Sequence, residues 1–290
     1  MKSAILFHLY SGDVWFTALG LAIVAIALDR WRGRESILVR RVSRISFLLA
    51  VPLAGLAGVP LTLWLVVPGL IAWTGCLVFG FGRRNGGVAP WVAAAFVILA
   101  SAGIISEVIW RAGETVGERP PDILVVFGDS LTAGGFEETT TWVDHLEGMS
   151  RMRIINLSRA SATTGSALEF QLPEAPDVCF GCGAVVELGG NDMLDGRNPD
   201  DLEKNLTRLI EELRERGFDR IWLVEFPALP GGWHWAAAQR EVARERNIEI
   251  VPKRVLAGVL LRPGSTLDAL HLSDEGHRSL AERLGVYLGL

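Results

Sequence analysis

The chain has 290 residues, 50% of them hydrophobic and 21% charged, and its mean hydropathy of +0.31 excludes a disordered, collagenous or disulfide-scaffold protein. The charge is unevenly divided: residues 1–119 carry 11 Lys+Arg against 6 Asp+Glu, and the remainder carry 17 against 27. A net-acidic second part presents no basic face to phosphate backbones, so nucleic acid is not an expected partner.

In chain order, residues 14–28 are a first apolar run between Asp13 and Asp29, flanked by Trp15 and Trp31. Residues 45–82 contain no Asp, Glu, Lys or Arg. As a single helix they would measure about 57 Å, nearly twice the ~30 Å hydrocarbon core of a bilayer. They therefore predict two short spans that reverse near residues 58–62, with Pro52, Gly55, Gly58 and Pro60 around the turn. Residues 88–106 are a further uncharged run with Trp91 and Trp110 at its ends, where interfacial indoles belong. The expectation is an all-α transmembrane region of about four helices over residues 1–113. Arg30, Arg32, Arg34, Arg40, Arg41 and Arg44 fall in one loop and Arg83 and Arg84 in another. The positive-inside rule puts both loops in the cytoplasm and everything after Arg111 outside it. This predicts an integral protein of the inner cell membrane whose second domain is extracytoplasmic or periplasmic. A cleaved signal peptide is disfavoured because no small-x-small site follows Leu28. The absence of ionisable residues from 45–82 makes the spans an anchor within the lipid bilayer, with no ion path.

Residues 114–122, with Gly117, Pro120 and Pro121, read as a linker. Short β-branched apolar runs then recur at 123–127, 153–157, 184–188, 220–226 and 248–251 and predict five buried strands. Helical periodicity separates them. After Asp200, Leu202, Leu206, Leu209, Ile210 and Leu213 share one face, Glu203 is positioned for a capping box with Asp200, and Gly217 ends the run. Residues 235–246 and 274–288 form two more helices. Strands alternating with helices give an α/β fold with a doubly wound parallel sheet over residues 123–290, and its site should lie outside the carboxyl ends of the strands.

Polar clusters stand at those ends. Gly128-Asp129-Ser130-Leu131-Thr132 follows the first strand, Asn156-Leu157-Ser158 the second, and Gly189-Gly190-Asn191-Asp192 the third, while Asp268-Ala269-Leu270-His271 lies near the C-terminus. Singly, each reads as a cap or a turn. In this order the blocks resemble those of the SGNH/GDSL hydrolase family, over residues 123 to about 284. The resemblance implies a flavodoxin-like three-layer domain that performs acyl-ester chemistry with no metal or organic cofactor. It matches Ser130 to the nucleophile, Asp268 and His271 to the other triad members, and Asn191 to the side-chain donor of an oxyanion hole that also uses the Ser130 N–H. One block departs from the pattern: Ser161 occupies the position at which the family has an oxyanion-hole glycine. A backbone N–H survives that change, but the loop conformation that a glycine allows is called into question, and with it the third oxyanion donor.

The chemistry has its own logic. A serine hydroxyl attacks a carbonyl only when a base takes its proton, and an imidazole suits that task. Asp268 would take the other ring N–H and fix the tautomer. Thr132, two residues after Ser130, excludes the Gly-x-Ser-x-Gly elbow of α/β-hydrolases. His271, Asp274 and His277 read more simply as a helix start than as a metal site. Cys179 and Cys182 are spaced for either a local disulfide or two free thiols. The sequence thus predicts a membrane-anchored serine esterase for lipid or acylated-glycan esters. An O-acyltransferase using the same triad and an inactive binding module are the alternatives.

Overall fold

The computed structural model describes residues 2–30, 120–135, 140–229, 231–268 and 270–290, with scattered positions between 42 and 110. It divides into two compact units, Met1–Ser11 with Trp110–Leu290, and Gly12–Ile109.

In the second of these units the apolar run at 14–28 is a helix. After α1 (Lys2–Tyr10), which belongs to the first unit, α2 spans Val14–Arg30. Its Ala18, Ala22 and Ala25 are fully buried along one stripe, and Phe16, Ile23 and Val24 are exposed. At 17 residues it rises about 26 Å. Among the described residues, no helix is long and apolar enough to cross a membrane. Most of the runs at 45–82 and 88–106, and of the linker, lies outside the described residues.

The first unit is a five-stranded, wholly parallel sheet with the order β2-β1-β3-β4-β5. The strands are β1 Ile123–Gly128, β2 Arg153–Asn156, β3 Cys182–Glu187, β4 Phe218–Val224 and β5 Glu249–Val251. Every residue of β3 is buried, as expected of a central parallel strand covered by helices on both faces. The helices pack in two sets. In one, α4 (Trp142–Met149) meets α9 (Asp274–Leu288), which in turn packs on α8 (Lys253–Leu260). In the other, α6 (Pro199–Glu215) lies along α7 (Trp233–Glu245). Two short helices, α3 (Ser130–Ala133) and α5 (Gly190–Leu194), open directly from the carboxyl ends of β1 and β3.

The five strands stand where their apolar runs lie, although β3 and β4 begin two residues earlier than the sequence suggests. The start of α6 differs from expectation. Asn198 is its cap, accepting from the Asp200 N–H at 3.1 Å, and Pro199 occupies the first turn. Proline fixes the dihedral that begins a helix and needs no N–H acceptor, so the cap falls before it and Asp200 becomes a first-turn anion. Cys179 and Cys182 form a disulfide at the amino-terminal end of β3.

A buried ion cluster closes the carboxyl end of β4. Glu225, fully buried, accepts from Arg240 Nε at 2.7 Å and from the Lys253 backbone N–H at 2.9 Å. Burial works to raise this carboxyl, but Arg240 and Lys253 outweigh it and hold it below its usual range. Removing one partner of such a group strands the other charges in a dry interior. Glu225→Ala is expected to cost about 3–5 kcal/mol, read as a lower thermal midpoint of the full chain. A midpoint equal to wild type would show that the cluster contributes nothing to stability.

Candidate active site

The order β2-β1-β3 reverses direction between β1 and β3, and a doubly wound sheet opens a crevice at such a switch point. Ser130 and Asn191 both sit at it, in the first turns of α3 and α5. The chain leaves β1 through Gly128, where a Cβ would lie 2.5 Å from Thr132 Cβ and Oγ1, so no side chain fits. Asp129 then caps α3, its Oδ1 accepting from the Leu131 N–H at 2.9 Å. Gln171, fully buried, clamps the same turn. Its Oε1 accepts from the Gly128 N–H at 3.2 Å and its Nε2 donates to the Gly128 carbonyl at 2.9 Å.

Ser161 lies exposed in the loop after β2 with φ of 59°. The serine therefore adopts the left-handed conformation that the change from glycine called into question. Since its contribution would be a backbone N–H, Ser161→Gly should leave kcat within about twofold of wild type and raise stability by up to about 1 kcal/mol. A large loss of turnover in that variant would mean that the serine hydroxyl takes part. One amide ties the three loops together. Asn191 Nδ2 donates to Asp129 Oδ2 at 3.1 Å and to the Ala162 carbonyl at 2.9 Å, reaching the neighbours of both Ser130 and Ser161. Its helix starts after Gly189, at φ 110°, where a Cβ would fall 2.9 Å from Phe226. Asp192 reinforces the join by accepting from the Thr164 hydroxyl at 2.6 Å and the Thr164 N–H at 2.9 Å.

Asp268 and His271 share a tight turn ahead of α9. Asp268 Oδ1 accepts from the backbone N–H groups of Leu270 and His271, each at 2.7 Å, and Oδ2 pairs with His271 Nδ1 at 2.7 Å. The His271 ring, then these two N–H groups, hold the Asp268 carboxyl well below the usual carboxylate range. The turn is tied at its base. Leu267 N–H donates to the His271 carbonyl at 2.9 Å, and Ser273, the cap of α9, donates through its hydroxyl to the Gly264 carbonyl at 2.6 Å. A Cβ on Gly135, just past α3, would meet His271 at 3.2 Å, so the imidazole packs against the chain leaving the Ser130 turn. Among the described residues no hydrogen bond joins the Ser130 hydroxyl to this ring. Contacts between nucleophile and base commonly tighten only around substrate.

His277 is engaged apart from His271: it is buried in α9 and accepts from the Trp142 N–H at 3.1 Å. Three polar groups under the site had no sequence motif of their own: Gln171, Trp142 and Glu187. Glu187 carried the one available signal, a carboxylate inside an apolar strand run.

Residues 126–279, more than half of the chain, match the GDSL-like Lipase/Acylhydrolase family. Esterase TesA of Pseudomonas aeruginosa is 31% identical over 145 residues, covering 44% of this chain and 69% of that protein. Thioesterase 1/protease 1/lysophospholipase L1 of Escherichia coli is 26% identical over 138 residues, covering 45% of this chain and 66% of that one. A crystal structure of TesA aligns at 27% identity with a TM-score of 0.49, over 57% of this chain and 97% of that chain. By its family pattern the chain belongs to the GDSL-like lipase/acylhydrolase family, and it is a serine hydrolase of ester bonds.

Proposed function

We propose that the protein is a membrane-anchored esterase that cleaves acyl esters through an acyl-Ser130 intermediate, with Asp268 and His271 as its other triad members. The observation that carries this reading is the 2.7 Å Asp268–His271 pair packed against the chain that leaves the Ser130 turn. Asp268 accepts the hydrogen bond from His271 Nδ1–H, which keeps that proton on Nδ1 and leaves Nε2 free to act as base. The Ser130 hydroxyl attacks the ester carbonyl and gives its proton to His271 Nε2. The oxyanion meets the N–H groups of Ser130 and Ser161 and the Asn191 amide. In the resting enzyme one Asn191 hydrogen lies on the neutral Ala162 carbonyl, and moving it to an anion is favourable because charge-assisted hydrogen bonds are stronger. Collapse expels the alcohol, protonated by His271. Water then attacks the acyl-enzyme by the same route, releasing the acid and regenerating Ser130.

Acyl chains suit the surroundings. Leu194 ends α5, Leu229 follows β4, and Leu267 and Leu270 flank Asp268, all of them exposed. The names of the relatives, an esterase and a thioesterase/lysophospholipase, agree with lipid acyl groups as substrates. Membrane anchoring rests on the uncharged runs at 45–82 and 88–106 and on the exposed apolar face of α2. The Cys179–Cys182 disulfide favours an oxidising compartment for the hydrolase domain.

The test is hydrolysis of p-nitrophenyl acetate and a long-chain p-nitrophenyl ester by the detergent-purified full chain, with and without candidate acceptor alcohols. Turnover in water alone, faster for the longer chain, is the expected result. Turnover only when an acceptor alcohol is present would replace hydrolysis by acyl transfer. No turnover of either ester by folded protein would overturn the esterase reading.

A further inference from the structure

Beneath the Ser130 turn lies a second carboxyl group that the chemistry above does not use. Glu187, the last residue of β3, is buried below α3. Its Oε2 accepts from the Thr132 hydroxyl at 2.9 Å and, more loosely, from the Asp129 N–H at 3.4 Å. Thr132 Oγ1 accepts in turn from Trp142 Nε1 at 3.2 Å, and Trp142 is fully buried. Asp129 carries two tasks on one carboxyl: Oδ1 caps α3 and Oδ2 takes the Asn191 amide. The Glu187 and Asp129 carboxyl groups are close neighbours in this buried site.

Resting on the reading of the site given above, we infer that Glu187 is a positioning residue for ester hydrolysis. Anchored by Thr132 and the Asp129 backbone, it holds the Asp129 carboxyl in the orientation that caps the Ser130 turn and fixes the Asn191 amide. Without it, Oδ1 keeps its cap on the Leu131 N–H but Oδ2 is no longer fixed from below, and the Asn191 donor loses its aim at the oxyanion while the Ser130 hydroxyl remains in place.

The charge state follows from the same packing. Two carboxylates in contact in a dry site cannot both ionise. Burial pushes Asp129 up to about 6, and burial, then the Asp129 charge, pushes Glu187 well above the usual range. The Asp129 charge is thus one of the causes that raise Glu187, so Asp129 is the member of the pair that ionises first and Glu187 the one that keeps its proton to higher pH. The groups facing the pair are Thr132 on α3, Asn191 and Asp192 on α5, and His271 on the turn before α9; His271 favours the Asp129 charge and Asp192 opposes it. As pH rises and Glu187 ionises, the donor to Asp129 is lost and two charges repel. kcat should then fall on the alkaline side.

The experiment measures kcat, KM and their pH dependence with p-nitrophenyl acetate for full-length wild type, Glu187→Gln, Glu187→Leu and Ser130→Ala. Glutamine retains an acceptor for Thr132 and a donor for Asp129 but cannot ionise. It should keep kcat within about threefold of wild type at neutral pH and abolish the alkaline decline. Leucine should lower kcat by up to about 100-fold, the scale of a misaimed catalytic group, with KM within about twofold. The inference is overturned by wild-type kcat in Glu187→Leu, by an equal loss in Glu187→Gln, or by an alkaline decline that survives in Glu187→Gln. If Glu187→Leu does not fold, the pH profile of Glu187→Gln decides alone. Retained turnover in Ser130→Ala would instead reject the reading of the site, whatever Glu187 does.

Discussion

Full-length protein carrying Ser130→Ala is expected to hydrolyse p-nitrophenyl esters about 10⁴- to 10⁶-fold more slowly than wild type and to lose covalent labelling by a fluorophosphonate. The size of the effect follows from the route. Without an acyl-enzyme, water must attack the bound ester directly, and His271 can serve only as its base. What persists is the help of the remaining oxyanion donors and of substrate binding. His271→Ala should fall about as far, and the double variant little further, because nucleophile and base act as one unit. A Ser130→Ala protein that keeps more than about a tenth of wild-type turnover would remove Ser130 from the chemistry.

Asp268→Asn should cost about 10⁴-fold in kcat without unfolding the turn. The reason lies in which oxygen does what. Oδ1 accepts from two backbone N–H groups, Leu270 and His271, so an asparagine must place its carbonyl there. Its amide nitrogen then faces His271 Nδ1, a position at present taken by Oδ2 at 2.7 Å. Nδ1 becomes the acceptor, the ring proton moves to Nε2, and the imidazole can no longer take the serine proton. The measurement is kcat together with the thermal midpoint. A large loss of kcat with an unchanged midpoint is the expected pair, whereas a kcat near wild type would show that Asp268 does not set the tautomer.

Much of the site was legible because its residues lie in local patterns. Asp268 and His271 are three apart and meet through a single turn. Ser130 and Asn191 each follow a β-branched apolar run by a few residues, and those runs became β1 and β3. α9 began at Asp274 behind a serine cap, as its acidic first turn suggested. The helices at Trp142–Met149 and Lys253–Leu260 were not read. Both are only eight residues long, too short for helical periodicity to stand out from a buried apolar run. The supporting groups were harder still. Gln171 meets Gly128 from 43 positions away and Glu187 meets Thr132 from 55, and no local spacing records such a pairing.

The sequence by itself determined the strands, the ends at which polar residues gather and the Asp268–His271 turn, because hydrophobic period and short-range hydrogen bonding are properties of neighbours in the chain. Only the tertiary structure decided the rest: the left-handed conformation of Ser161, the Asn191 amide bridging Asp129 and Ala162, and the buried carboxyl of Glu187 beneath the Ser130 turn. Each depends on parallel strands far apart in sequence being brought side by side. There, burial raises the cost of every unpaired polar group, and long-range partners must be found for all of them.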